Sequence, residues 1–463
     1  MKRKLSAIVA LILVAVLCFS LTGCGKITVQ GVDEENHVIT VGNTAATTGA
    51  FSSVGVPFNY ALEAYLWYFS TQTDGYKDAQ GNKYTFDFIH YDDGFDGAVG
   101  ATYTEKLVEE DKVFALVGHF GSNTVAATVD YIEEIGVPMV YGVTGVPQLF
   151  ETERNVMTVQ PIYNTEGMAM LATAVAPTAN SMGLGGTKIG VIATTDEAGS
   201  SIKAGIMLEA NTLGLVKDTN IFYFDVDAAA TDYSAAVNGL KAKGCDVVII
   251  AANQAPFINI SKQFATSNYE NVKIITSYVS ANATAMGTLA TAGVMTATRK
   301  VFAGAWLYTG SMPSETKGWQ DFVEFVRIMT LYAKHNNETL VKYDDPTWGA
   351  FLNIYFGSYD WAKDGVGGYW INSYAMAGYV AANVFCQGLE RMSGEKLTWK
   401  AYINAMEEAP INIPMGLSVN YANGQRIGIA ALAVNEYTVA AVQGTLYRNI
   451  TSLADIEAAY KAK

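Results

Sequence analysis

Two side chains that could do chemistry stand close together in the stretch VFALVGHFGSNTV, residues 113–125: His119 and Ser122. A serine hydroxyl with an imidazole base is the machinery of nucleophilic acyl transfer. The surrounding pattern argues against that use. No G-x-S-x-G turn lifts the serine above a sheet, and His119 precedes Ser122 at the end of an apolar run that reads as a strand. Nearness in sequence does not supply the geometry a serine–histidine pair needs. A second chemistry fits the same residues. The run NTVAATVDYIEEIG reads as a helix capped by Ser122 or Asn123. A helix that starts just beyond a strand end gathers free N–H groups and the positive end of its dipole, and an anion can be held there unchanged.

Metal chemistry fits less well. DDGFDG sets Asp92, Gly94 and Asp96 at alternating positions, faintly like a calcium loop, but Tyr103 stands where the loop needs a bidentate glutamate. His37, His90, His119 and His335 are scattered, and neither HExxH nor CxxC occurs. GLGG at Gly183–Gly186 precedes a strand instead of following one, the wrong context for cradling phosphate. No metal and no cofactor is expected.

The elements that position these residues alternate. HVITVGNTA, YTFDFIHYDDG, KVFALVG and VPMVYG read as strands. NYALEAYLWYFSTQ, ATYTEKLVEED and NTVAATVDYIEEIG read as the helices between them. A second series starts near Tyr163, with strands KIGVIAT, NIFYFDV, CDVVIIAAN and VKIITSYV. Its helices are SSIKAGIMLEANTLG, YSAAVNGLKAKG and PFINISKQFATSN. Short strands apolar on both faces, alternating with helices, predict parallel sheets covered on both sides. Between Gly310 and Gly368 the pattern changes to an aromatic-rich insertion holding Trp319, Trp348, Phe351, Tyr355, Phe356, Tyr359 and Trp361. Such residues are expected to give the segment a small core of its own.

With 463 residues the chain is long enough for two ordinary domains, and its net charge of −14 disfavours nucleic acid as a partner. The amino terminus, MKRKLSAIVALILVAVLCFSLTGCGK, has a basic start and an apolar run, the pattern of an export signal. Its Leu21-Thr22-Gly23-Cys24 resembles the lipobox of bacterial lipoproteins, which makes Cys24 the expected lipidation site, residues 1–24 the signal and residues 25–37 a tether. Acyl chains would hold the protein on a membrane face. Cys245 and Cys386 read as two buried free thiols more readily than as a disulfide.

In order along the chain, the leader with LTGC, TGAFSSVG, YDDGFDG, LVGHFGSNT, GVPMVYGVTGVPQL and the second strand–helix series resemble the type 1 periplasmic-binding fold. Within it they are similar to the branched-chain amino acid (Leu/Ile/Val) binding proteins of ABC importers. The resemblance runs from about Val38 to Ala290, weakens through the insertion and resumes at GGYWINSYAMAGYV. It implies an α/β fold of two doubly wound parallel-sheet lobes joined by three crossovers. Lobe 1 would span 38–162 and 305–427, and lobe 2 163–304 and 428–455.

The resemblance also implies a ligand cleft between the lobes. Ser122 would hold a ligand carboxylate, helped by backbone at Val143 and by Thr144, which stands one residue before the family's threonine position at Gly145. Phe51 and Val54 in TGAFSSVG would line the cleft. The family's acid for a ligand amine falls on Tyr278, and its second-lobe aromatic positions fall near Asn253 and Gln254 and on Ala198. A buried ammonium needs a carboxylate partner, so Asp196 and Glu197 are candidates for that role. Otherwise the ligand lacks an amine, and a carboxylate or amide with an apolar or aromatic body would suit Phe51, Phe120, Tyr141, Tyr163 and Tyr278.

The sequence therefore reads as a lipid-anchored, extracytoplasmic solute-binding protein, not an enzyme, handing an amino acid or related small carboxylate to ABC permease and ATPase subunits. Two alternatives stand beside it: a ligand-sensing module that partners a membrane receptor, and a serine hydrolase using Ser122 and His119.

Overall fold

The computed structural model describes residues 29–150, 152–179, 182–307, 317–342, 365–369, 372–426, 428–429, 432–450, 457–458 and 460–461. The export signal with Cys24 and most of the aromatic-rich insertion, including Trp348 to Trp361, lie outside the described residues.

Runs of β-branched and aliphatic residues build two sheets. The first contains β1 (Val32–Asp33), β2 (Val38–Thr44), β3 (Thr85–Tyr91), β4 (Ala115–Val117), β5 (Met139–Val140) and β6 (Val156–Met157). Its order is β1-β2-β4-β5-β6, with β3 also on β2, and every pair except β1–β2 is parallel. The second contains β7 (Ile189–Thr194), β8 (Ile221–Val226), β9 (Val247–Ala251), β10 (Lys273–Thr276), β11 (Val301–Ala305), β12 (Leu432–Thr438) and β13 (Ala441–Ile450). Its order is β13-β12-β11-β10-β9-β7-β8, parallel from β11 to β8 and antiparallel at the β12 and β13 edge. Every residue of β7 and β9 is buried, as expected for strands covered on both faces by helices.

The helices α1 (Ser52–Gln72), α2 (Gly97–Glu109) and α3 (Ser122–Ile135) belong to the first sheet. The second is served by α4 (Tyr163–Val175), α5 (Glu197–Thr212), α6 (Ser234–Lys243), α7 (Gln254–Thr266) and α8 (Ala283–Thr291). Then α9 (Lys317–His335), α10 (Ser373–Arg391) and α11 (Trp399–Glu407) join the core of the first lobe. The chain thus passes between the sheets three times: after Met157, after Ala305 and before Leu432.

Two expectations meet a different arrangement. The stretch read as a tether is partly built into the fold. Val32 and Asp33 pair with Val38 and Ile39, and Gly31 lies so close to the Phe114 backbone that a Cβ would sit 2.1 Å from its nitrogen. The described part of the insertion has no core of its own. Trp319, Phe322 and Phe325 of α9 are buried in the first lobe's core, because α9 lies against α1. Cys245 and Cys386 are free, buried and in different cores.

Close helix contact fixes where the first lobe's site begins. Helices α10 and α1 meet at Gly378, where a Cβ would stand 2.0 Å from the Phe58 carbonyl oxygen. Only glycine lets the two backbones approach this far.

Candidate functional site

The carboxyl ends of the parallel strands in both sheets face one cavity of about 280 Å³, the place where open α/β sheets take ligands. The turn after β2 brings Phe51 and the first turn of α1 Val54, the turn after β4 brings Phe120 and the start of α3 Ser122, and the segment after β5 brings Tyr141 and Val143. From the second lobe come Asn253 and Gln254 after β9 and Tyr278 and Asn282 after β10, and Trp306 stands at the crossover just after β11. Ten aromatic rings line the cavity, and among the described residues its wall holds no Asp, Glu, Lys, Arg or His.

Ser122 is the first residue of α3 and not its cap. The capping position is Gly121, whose φ of 107° favours glycine, and no side chain caps this helix. The serine hydroxyl is consequently available for other partners. Thr144 Oγ1 donates to Ser122 Oγ at 2.9 Å, and the Tyr163 hydroxyl lies 3.2 Å from the same atom. Thr144 itself is buried behind the wall and does not line the cavity. The Val143 N–H is already donated to the His119 carbonyl oxygen at 2.7 Å.

His119 does not serve Ser122. Its Nε2 lies 3.2 Å from both Thr104 Oγ1 and Thr128 Oγ1, and burial pushes its pKa down to about 3. The ring is a neutral core group between α2 and α3. The DDGFDG acids are committed as well. Asp92 accepts the Thr47 N–H, Asp93 accepts the Thr124 hydroxyl and the Phe95 N–H, and Asp96 caps α2. That loop is a framework for the cavity wall, since Phe95, held at φ 69°, stacks on Phe51 with ring centres 4.2 Å apart.

The residues considered for a ligand amine do not line the cavity. Asp196 caps α5, accepting the Gly199 N–H at 3.0 Å and the Thr194 hydroxyl at 2.7 Å, while Asn253 Nδ2 approaches its second oxygen at 3.2 Å. Glu197 is exposed, and neither acid lines the cavity. A different acid lies just behind the wall. Glu166, fully buried on α4, has its pKa raised to about 8 by desolvation, so it is chiefly protonated at neutral pH.

Helix starts set the field inside. α1, α3, α4 and α7 begin at the cavity with no side-chain cap, and α8 and α10 begin there capped by the neutral Asn282 and Asn372. Carboxylate caps occur elsewhere, Asp96 on α2 and Asp196 on α5. Uncompensated helix N-termini favour an anion, each by about 0.3–1 kcal/mol.

A chain of hydrogen bonds runs from the first lobe to the second. The Tyr141 hydroxyl donates to Gln160 Oε1 at 2.7 Å, Gln160 Nε2 donates to the Tyr278 oxygen at 3.0 Å, and the Tyr278 hydroxyl donates to the Pro161 carbonyl at 2.6 Å. The Tyr374 hydroxyl, on the first residues of α10, donates to the Val279 carbonyl of the second lobe. Trp306 stands edge-on to Tyr141 and Tyr278, with centres 6.0 and 6.5 Å away. Phe95, Gln160, Trp306 and Tyr374 were not among the residues singled out in the sequence. Trp306 could have been found by its place just past a second-lobe strand. Phe95 could not, because its role depends on a left-handed backbone.

Among the described residues no helix is long and apolar enough to cross a membrane. A family profile described as periplasmic binding protein matches residues 38–310. Solved structures share the fold at low identity. A fatty acid ABC transporter substrate-binding protein from Thermomonospora curvata is 16% identical, with a TM-score of 0.68 over 92% of this chain and 96% of its own. A branched-chain amino acid ABC transporter protein from Thermus thermophilus with bound valine is 14% identical, at 0.67 over 92% and 98%. An ABC transporter solute-binding protein from R. palustris in complex with benzoate is 15% identical, at 0.63 over 89% and 95%. No curated protein matches the sequence.

Proposed function

The chain belongs to the periplasmic binding protein family, and from that premise we propose that it is the extracytoplasmic receptor of an ABC importer for small amine-free carboxylates with an apolar or aromatic body. The observation that carries this reading is the cavity itself: aromatic walls without a charged side chain among the described residues, facing helix N-termini that no carboxylate caps. A carboxylate gains from that field. An ammonium would lose its hydration there without finding an anionic partner, which disfavours an α-amino acid. Ser122 and Tyr163 present two hydroxyls 3.2 Å apart that can both turn toward one carboxylate.

The ligand bodies named for relatives of this fold, a fatty acid and benzoate, are compatible with such a wall, and bound valine in another shows the fold also takes amino acids. In this reading the lobes close around the solute, the three crossovers absorb the rotation, and the loaded protein docks on permease and ATPase subunits. Cys24 carries the lipid anchor, a point tested by membrane fractionation of Cys24→Ser, which is expected to leave the membrane fraction.

The test of the ligand class is a thermal-shift panel of aliphatic amino acids, aryl and acyl carboxylates, and their amides. A ligand at 100 times its dissociation constant stabilises the fold by about 2.7 kcal/mol. Aryl or acyl carboxylates are expected to shift the midpoint, and their uncharged amides to shift it less. Ser122→Ala should weaken the best acid about 10-fold, the worth of one hydrogen bond to a charged group, with no turnover in either protein. A response to amino acids alone would sink the reading.

A further inference from the structure

One polar group in the cavity wall has no partner. Gln254, the first residue of α7, is 6% exposed, and its Oε1 is buried without a hydrogen bond. Its neighbour Asn253 differs, since its amide already approaches Asp196. A buried carbonyl oxygen left unpaired is costly, and Gln254 lines the cavity, where a solute can meet its amide. Gln254 also lies in the second lobe, whereas the uncapped start of α3 with Ser122 lies in the first. A solute gripped by both lobes would therefore meet a site for an anion at one wall and an unpaired amide at the other.

We propose that the ligand is bipolar: a carboxylate at the Ser122 end and a hydroxyl at the end taken by Gln254, with a planar apolar body between them. This deepens the carboxylate reading and rests on it. A hydroxyl fits better than a second carboxylate or an ammonium, because the amide is neutral and no described wall residue is charged. It also pairs with either face of the amide, donating to Oε1 or accepting from Nε2. The body fits between rings that are already fixed, Tyr141 by Gln160 and Tyr278 by Pro161. Hydroxyaryl carboxylates are the class that has all three parts.

The probes are three pairs of increasing length: benzoate and 4-hydroxybenzoate, phenylacetate and 4-hydroxyphenylacetate, 3-phenylpropionate and 3-(4-hydroxyphenyl)propionate. Calorimetric titration of the intact protein is expected to show the hydroxylated member binding at least 10-fold tighter in at least one pair. In Gln254→Met, of similar length and apolar, that ratio should fall to near one. Gln254→Asn, which stays polar but reaches less far, should lose the ratio too, and the thermal midpoint of each variant checks that it is folded. Acids that bind with no hydroxyl preference, or with a preference that both variants keep, overturn the inference and leave the carboxylate reading standing. Failure of every acid to bind, with binding of amines or amino acids instead, overturns both.

Discussion

Glu166 accepts the Tyr278 N–H at 2.8 Å on one carboxyl oxygen, while its other oxygen lies 2.7 Å from the Ser277 hydroxyl. This pairing ties the first turn of α4 to the loop after β10, directly behind Gly304, where a Cβ would meet Glu166 Oε1 at 2.6 Å. Burial raises the Glu166 pKa from 4.5 to about 8. Between those values the folded state keeps a proton that the unfolded chain releases. Its contribution is therefore fully present below about pH 4.5 and is lost as pH rises toward 8. Glu166→Gln, a neutral amide of the same shape, should remove a fall in stability of up to about 1.4 kcal/mol per pH unit. Urea unfolding at pH 5, 6, 7 and 8 measures it. Parallel curves for the two proteins would show that the carboxyl does not hold its proton.

His119 works in the opposite direction. Its folded pKa is depressed from 6.5 to about 3, so below pH 6.5 the unfolded chain takes up a proton that the folded state refuses. Stability should fall as pH drops through this window, with the same limiting slope of about 1.4 kcal/mol per pH unit. Taken with Glu166 alone, this predicts a plateau between about pH 4.5 and 6.5. Comparing wild type with His119→Gln by unfolding between pH 4 and 7 isolates the histidine. Because its ring faces Thr104 and Thr128 and not Ser122, the variant should keep ligand affinity within about 2-fold. A large loss of affinity in a folded variant would contradict this geometry.

What could be read from the sequence followed periodicity and position. The parallel strands are short apolar runs, and Phe51, Phe120, Ser122, Val143, Tyr163, Asn253, Gln254 and Tyr278, which follow their carboxyl ends, stand in the cavity wall. Roles that depend on local geometry were harder to read. Ser122 was expected as a possible cap, but Gly121 at φ 107° takes that position and leaves the hydroxyl to Thr144 and Tyr163. Asp196 and Glu197 looked equivalent in sequence. The structure separates them into a helix cap and an exposed residue, neither at the cavity. Glu166 carried no signal at all, because a glutamate in the first turn of a helix is ordinary and its burial arises only when α4 meets the loop at Ser277.

The contact between α10 and α1 yields a test of how the first lobe's wall is set. With 2.0 Å between a Cβ at Gly378 and the Phe58 carbonyl oxygen, Gly378→Ala must push the two helices apart. Overpacking of this kind costs about 1–3 kcal/mol. Since α1 begins next to Phe51 and carries Val54 at the cavity, and α10 begins with Ser373 and Tyr374 there, affinity should fall along with stability. Gly394→Ala is a useful control, because nothing lies within 4 Å of its added Cβ, although its φ of 91° brings backbone strain. It should destabilise without changing the dissociation constant. Equal losses of affinity in both variants would mean that general destabilisation, and not the wall, is being measured.

Tyr374 provides the sharpest test of closure. Its hydroxyl belongs to the first lobe and its acceptor, the Val279 carbonyl, to the second. In an open state both groups can bond to water, so the hydrogen bond favours the closed state alone. Tyr374→Phe keeps the ring, which packs 6.2 Å from Phe120, and removes only the donor. A net loss of about 1 kcal/mol corresponds to affinity about 5-fold weaker, and it should fall mainly on dissociation, since the encounter with an open cleft is untouched. Stopped-flow tryptophan fluorescence, with Trp306 in the cavity wall as the reporter, separates the two rates. A variant that binds more slowly but releases at the wild-type rate would place this hydroxyl in ligand entry and not in holding the lobes together.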